Sequence, residues 1–157
     1  MTDRIDLFAV ESDLIKLFIT FSHEVEAAGL EKSLVELVKI RASQLNHCAI
    51  CLHMHTRDAR KLGETEERLY MLDAWRESPL YTPRERAALA WTETLTLLAT
   101  CGAPDEVYAQ VKSEFSDAQS IALTMLINVI NSWNRLGVGY RRTHPVKAAP
   151  LQAAVRA

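Results

Sequence analysis

Ten residues in the first third of the chain carry its densest chemistry: Asn46-His47-Cys48-Ala49-Ile50-Cys51-Leu52-His53-Met54-His55. At about 100° per residue on a helix, Cys51 falls about 60° from Cys48 around the axis and His55 about 20° from it. The three side chains then share one narrow face, whereas His53, rotated by about 140°, points elsewhere. Spacing therefore selects His55 from the local histidines. A thiolate is the reactive form of cysteine, and helix N-terminal amides and a nearby proton acceptor both favour it. When a peroxide oxidises one thiolate to a sulfenic acid, a second thiol three positions away can close a disulfide and expel water. Cys48, Cys51 and His55 also offer three zinc ligands, so metal binding stays open beside redox and purely structural use. A closed zinc site needs a fourth ligand, and there is no second cysteine pair. A c-type haem attachment would need histidine directly after Cys51, where Leu52 stands.

A base in this role needs an orienting partner. Glu36 lies twelve positions before Cys48 (48 − 36), on the preceding apolar stripe, and two helices joined by a short break can fold back to bring it near His55. Its competing reading is the last residue of a capping box, Ser33-Leu34-Val35-Glu36. His47 and His53 read as surface or interface residues. Cys101, at the end of a later helix, reads as a free, partly buried thiol. Trp133, Asn134 and Arg135 either line the site or hold the last helix against its neighbours, and Trp75, Trp91 and Trp133 read as packing.

The elements that must hold these residues are helical nearly throughout. Leu14, Leu17, Phe18 and Phe21 recur at helical steps and end near Gly29. Leu34, Leu37, Val38, Ala42 and Leu45 form a second stripe. Asn46 is placed to cap a third helix from about Cys48 to Leu62, which Gly63 ends. Thr65 is placed to cap a short fourth helix. Thr82-Pro83-Arg84-Glu85 and Ser116-Asp117-Ala118-Gln119 are capping boxes, the first with proline at the first helical position. They open helices through Ala88 to Leu98 and Ile121 to Leu136, with another over Asp105 to Phe115 between them. The last helix is apolar on most sides, as a core or interface helix is. Gly137 and Gly139 weaken helicity after it. No strand run, nucleotide loop or repeat is found. The expectation is an all-α, single-domain bundle of about six to seven helices over residues 1–144. Residues 145–157 would form a tail, poorly ordered or a partner-binding arm.

Composition narrows the function classes. At 157 residues, with 48% hydrophobic and 24% charged, the chain can bury a real core. A net charge of −2 supplies no field for holding nucleic acid or an anionic membrane. Three cysteines are too few for a disulfide-stapled secreted scaffold, and Met1 to Phe8 lacks an apolar signal core. Ile121 to Ile130 falls well short of the ~20 residues of a membrane span. A cytoplasmic protein with reduced thiols is expected.

Glu36, then Cys48-x-x-Cys51, then His55 resembles the active-site pattern of the alkylhydroperoxidase D family, within the carboxymuconolactone decarboxylase-like superfamily. The flanking Glu36-Leu37-Val38-Lys39-Ile40-Arg41-Ala42-Ser43-Gln44-Leu45-Asn46 and His55-Thr56-Arg57-Asp58-Ala59-Arg60 resemble it too, as do Gly63-Glu64-Thr65, Arg84-Glu85-Arg86-Ala87-Ala88-Leu89 and Asn131-Ser132-Trp133-Asn134-Arg135. The resemblance implies an all-helical fold assembled into trimers or hexamers. It implies a peroxidase with a disulfide cycle acting on an organic hydroperoxide or hydrogen peroxide, with no metal or organic cofactor. Cys51 would be the attacking cysteine, Cys48 the resolving one, and His55 and Glu36 the proton relay. The reductant would be a dithiol, of the kind a lipoylated or thioredoxin-like protein carries. Two departures stand out: Ile50 replaces a histidine between the cysteines, and the motif lies early in the chain. The superfamily's other chemistry is a lactone decarboxylase-like lyase, which needs acid–base groups and no thiol pair. A non-enzymatic zinc-binding or redox-sensing module is the third reading.

Overall fold

The computed structural model describes residues 3–10 and 12–145. Among them the chain runs α1 (Asp13–Glu26), α2 (Lys32–Leu45), α3 (Ala49–Lys61), α4 (Glu66–Met71), α5 (Pro83–Thr96), α6 (Leu98–Cys101), α7 (Asp105–Glu114) and α8 (Asp117–Gly139), with a 3₁₀ turn at Leu72–Ala74. No strand occurs among the described residues. The expected all-α bundle is the one observed, and the short α6 raises the helix count above six to seven. The expected tail lies, beyond Pro145, outside the described residues.

Local signals place the helix starts. Thr82 accepts from the Glu85 amide at 3.2 Å while the Glu85 carboxylate accepts from the Thr82 amide at 2.8 Å. Ser116 and Gln119 make the same reciprocal pair at the head of α8, and Thr65 caps α4. Each such cap contributes about 1 kcal/mol.

Packing decides which faces are covered. In α2, every residue from Leu34 to Ser43 is buried, because α3, α5 and α8 enclose it. Val38 and Leu34 join Leu123, Leu126 and Ile127 of α8 and Ala88 of α5 in one core. Leu37 and Ile40 face the other way, onto Ala59, Leu72, Trp75 and Leu89. Fully burying each such side chain contributes about 1.5–3 kcal/mol. A helix enclosed on all sides must pair its polar groups internally. Arg41 does so with Glu93 at 2.8 Å and with Asp73 at 2.5 Å. Lys39 does so with Glu26 and Glu36.

Three local expectations are corrected. Asn46 does not cap α3: it ends α2, and its amide nitrogen lies 2.9–3.0 Å from the Asn131 and Asn134 side-chain oxygens and 3.0 Å from the Ala42 carbonyl. His47 then takes a left-handed φ of 54°, and Cys48 occupies the cap position of α3. Cys101 is free but exposed, because α6 is a single turn beside the exposed Leu97 and Leu98. The third concerns the end of α8, which continues through both glycines to Gly139.

Gly137 is there because of a close approach. A Cβ built on it would lie 2.8 Å from Cys48 Sγ, 3.2 Å from Ile50 Cγ2 and 3.5 Å from Cys51 Sγ, whereas a Cβ on Gly139 meets nothing within 4 Å. Alanine ordinarily stabilises a helix over glycine by about 0.5–1 kcal/mol, but overpacking costs about 1–3 kcal/mol. Gly137→Ala is therefore expected to lower the thermal midpoint of the oxidised protein by about 2–8 °C, while Gly139→Ala raises it by up to about 2 °C. Parallel melts of the two variants check this, and equal shifts would refute the close-packing account.

Candidate active site

The site is assembled at the junction of α2 and α3, against the end of α8. The turn between the two helices is clamped: the Cys48 amide donates to the Ser43 carbonyl at 3.0 Å, and fully buried Asn134 of α8 donates to Ser43 Oγ at 3.0 Å. This fixes where α3 begins. Cys48 stands at its cap and Cys51 at its third residue, among the amides that have no partner within the helix. The two are joined in a disulfide with Cα atoms 5.3 Å apart. Cys48 is 1% exposed and Cys51 7%.

One turn further, His55 Nδ1 lies 2.9 Å from Glu36 Oε2. The contact between α2 and α3 is thus made, and Glu36 is not a capping residue. Glu31 occupies the cap position of α2, which puts Ser33 inside the helix and dissolves the box reading. A carboxylate on Nδ1 holds the proton there and leaves Nε2 to exchange protons. The other Glu36 oxygen, Oε1, accepts from Lys39 Nζ at 3.1 Å, and Lys39 also donates to Glu26 Oε1 at 2.5 Å. Burial pushes the Glu36 carboxyl up, but the His55 hydrogen bond and the His55 and Lys39 charges outweigh it, so the net value lies below the usual carboxylate range.

Cys51 and His55 share the wall of a cavity of about 300 Å³. Its other walls are mostly apolar, among them Ile19, Met54, Ile130 and Trp133, with Phe8 of the N-terminal segment at its edge. Trp133 does both things expected of it: it lines this cavity, and it packs on Phe18 and donates to Ser22 at 3.0 Å. Asn134 serves the clamp, and Arg135 is exposed and donates to the Asn131 carbonyl at 2.9 Å. Trp75 and Trp91 are buried packing residues. His47 is exposed, and His53 turns away from the relay to stack on His144 with centroids 4.8 Å apart. Sequence reasoning missed Lys39, Glu26 and Gly137. A lysine three residues after Glu36 inside a run of apolar positions was the available hint for the first; for Gly137 no local signal exists. No group of three or more His, Cys, Asp or Glu placed to hold a metal occurs among the described residues, and none of their helices is long and apolar enough to cross a membrane.

Comparison with known proteins shows the family and the fold. The profile of the carboxymuconolactone decarboxylase family matches residues 13–94. The uncharacterized protein YdfG of Bacillus subtilis is 40% identical over 138 residues, covering 88% of this chain and 94% of its own. A crystal structure from Agrobacterium tumefaciens, of a protein of unknown function for which an AhpD antioxidant-defence role has been suggested, superposes with a TM-score of 0.90 at 38% identity, covering 93% of this chain and all of that one. An uncharacterized peroxidase-related protein from Silicibacter sp. TM1040 shares the fold at a TM-score of 0.72 and 21% identity, over 82% of this chain and 69% of its own.

Proposed function

Since the chain belongs to the carboxymuconolactone decarboxylase family, and to its alkylhydroperoxidase D-like members, we propose that it is a thiol-dependent peroxidase that reduces organic hydroperoxides or hydrogen peroxide in antioxidant defence. One observation carries the reading: a cysteine pair at a helix start opens, through Cys51, on an apolar cavity whose wall also holds a carboxylate-bound imidazole.

In the proposed cycle His55 Nε2 takes the Cys51 proton, and the free amides of the first turn favour the thiolate. The thiolate attacks the outer peroxide oxygen and the O–O bond breaks. Cys51 becomes a sulfenic acid, and the alkoxide takes the proton from His55 to leave as an alcohol. Cys48 then attacks the Cys51 sulfur, the S–O bond breaks, and water leaves with the Cys48 proton. A dithiol reductant restores both thiols. Ile50 lies between the cysteines without a titratable group, so His55 and Glu36 manage the protons alone.

We extend the proposal to assembly and place. Leu14, Leu17 and Phe21, 78%, 67% and 42% exposed, line the outer side of α1, an apolar stripe suited to burial in a homo-oligomer such as a trimer or hexamer. A cytoplasmic location would supply the reductant.

The deciding experiment treats reduced Cys101→Ser protein with cumene hydroperoxide. Two thiols per chain are expected to disappear as one peroxide becomes cumyl alcohol, and a dithiol restores both. Unchanged thiols would overturn the reading. The lyase reading keeps the support of the family match; full activity on a carboxylated lactone in a Cys48→Ser/Cys51→Ser double variant would establish it instead.

A further inference from the structure

The two sulfurs of the pair open in different directions. Cys51 lines the apolar cavity and Cys48 does not; Cys48 lines a second cleft, of about 340 Å³, which Cys51 does not reach. Gly137, Ile50 and Arg142 border both, so the disulfide forms part of the partition between them. Both cysteines are nearly buried, so each is approached only from its own side.

The two sides differ in charge balance: on the Cys51 side Lys39 is paired with Glu26, which lines the same cavity, and Arg142 borders both sides, whereas Arg141 lines the Cys48 side alone. The cleft over Cys48 is lined by His47, Arg141, Arg142, Thr143 and His144: two guanidiniums, two imidazoles and a hydroxyl. His53 adds a third imidazole behind His144. No carboxylate lines this cleft among the described residues. Asp3, which does not line it, accepts from the Thr143 amide at 3.0 Å and from its hydroxyl at 3.1 Å. A small anion gains there the permanent charge of Arg141 beside that of the shared Arg142.

From this we infer that the disulfide is reduced from the Cys48 side, by a small thiol that carries a carboxylate and docks against Arg141 and its neighbours. The inference rests on the disulfide cycle proposed above and adds its second half. The reductant thiolate attacks Cys48 Sγ. A bond forms between those two sulfurs and the Cys48–Cys51 bond breaks. The electron pair leaves on Cys51 Sγ, where the first-turn amides and a proton from His55 receive it. A second thiol, on the same or another reductant molecule, attacks the reductant sulfur and forms the reductant's disulfide. Cys48 leaves as a thiolate and takes up a proton. Oxidant and reductant thus enter by separate doors, and the resolving cysteine carries the mixed disulfide.

The test starts from the oxidised Cys101→Ser protein and uses no peroxide. Reduction rates with 3-mercaptopropanoate and with neutral 3-mercaptopropanol are compared, each normalised to its rate with hydroxyethyl disulfide and expressed per thiolate. The normalised ratio is expected to favour the anion by about tenfold at low salt and to fall toward one in concentrated salt. Arg141→Asn, which tolerates the left-handed φ of 56° at that position, is expected to lose most of the preference. Lys112→Gln, in α7, is expected to keep it. Acid quenching, alkylation and peptide mass mapping are expected to place the mercaptopropanoate on Cys48 and the alkyl label on Cys51. A neutral preference, or the adduct on Cys51, overturns the inference. The two readings fail separately: loss of peroxide-driven disulfide formation with the anion preference intact overturns only the peroxidase, and the reverse result overturns only the route of reduction.

Discussion

Cys51→Ser, made in Cys101→Ser protein, is expected to reduce hydroperoxide turnover by about three orders of magnitude or more, the scale of losing a covalent nucleophile. The reason is access as well as chemistry. Cys51 borders the apolar cavity that suits an alkyl hydroperoxide and shares it with His55, whereas Cys48 is 1% exposed and faces the other side. The reciprocal variant separates the roles. Cys48→Ser is expected to consume one peroxide per chain and stop, leaving a sulfenic acid on Cys51 that dimedone traps and mass mapping locates. A dimedone adduct on Cys48 of the Cys51→Ser protein, formed at the undiminished rate, would reverse the assignment of the attacking sulfur.

Glu36→Gln is the second large effect. Glutamine has nearly the same size, so packing is kept while the charge that holds His55 Nδ1–H and neutralises Lys39 is removed. The rate of peroxide-driven thiol loss is expected to fall by about 10²–10⁴, the range for losing general acid–base assistance. Stability is expected to fall by about 1–3 kcal/mol at neutral pH, because a buried ammonium loses one of its two carboxylates. The pH dependence follows from the direction of the Glu36 shift. Its folded value lies below the usual carboxylate range, so its contribution is complete above that range. The contribution is lost as pH falls through the lowered value. Urea melts of wild type and Glu36→Gln should therefore differ most near neutral pH and converge toward acid. A difference that grows on acidification would refute the charged relay, and an unchanged oxidation rate would remove Glu36 from the mechanism.

The elements were readable where local chemistry dictates them. Both capping boxes, Thr82 to Glu85 and Ser116 to Gln119, formed as the sequence predicts, because a cap is closed by residues within one turn of each other. The expectation failed where a distant surface outbid the local signal. Asn46 has the right chemistry for a helix cap, yet Asn131 and Asn134 of α8 claim its side chain. Gly137 reads as a residue that weakens helicity, yet α8 runs through it, and the absence of a Cβ there lets that helix approach Cys48 closely. Cys101 reads as partly buried but is exposed for the same kind of reason, since nothing in its neighbourhood along the chain tells whether another helix covers a single turn.

Sequence alone determined the all-helical class and the spacing of Cys51 and His55 about one turn apart on α3, because both follow from a period of about 3.6 residues along one element. Cys48, at the cap with an extended backbone, lines a different cleft. Tertiary structure decided everything that crosses between elements. It brought Glu36 to His55 and buried Lys39 against Glu36 and Glu26. It also gave the two cysteines separate cavities that differ in charge balance. Local spacing is a property of one backbone geometry, whereas these contacts depend on the packing of α1, α2, α3 and α8, where any position on one helix can meet many on another.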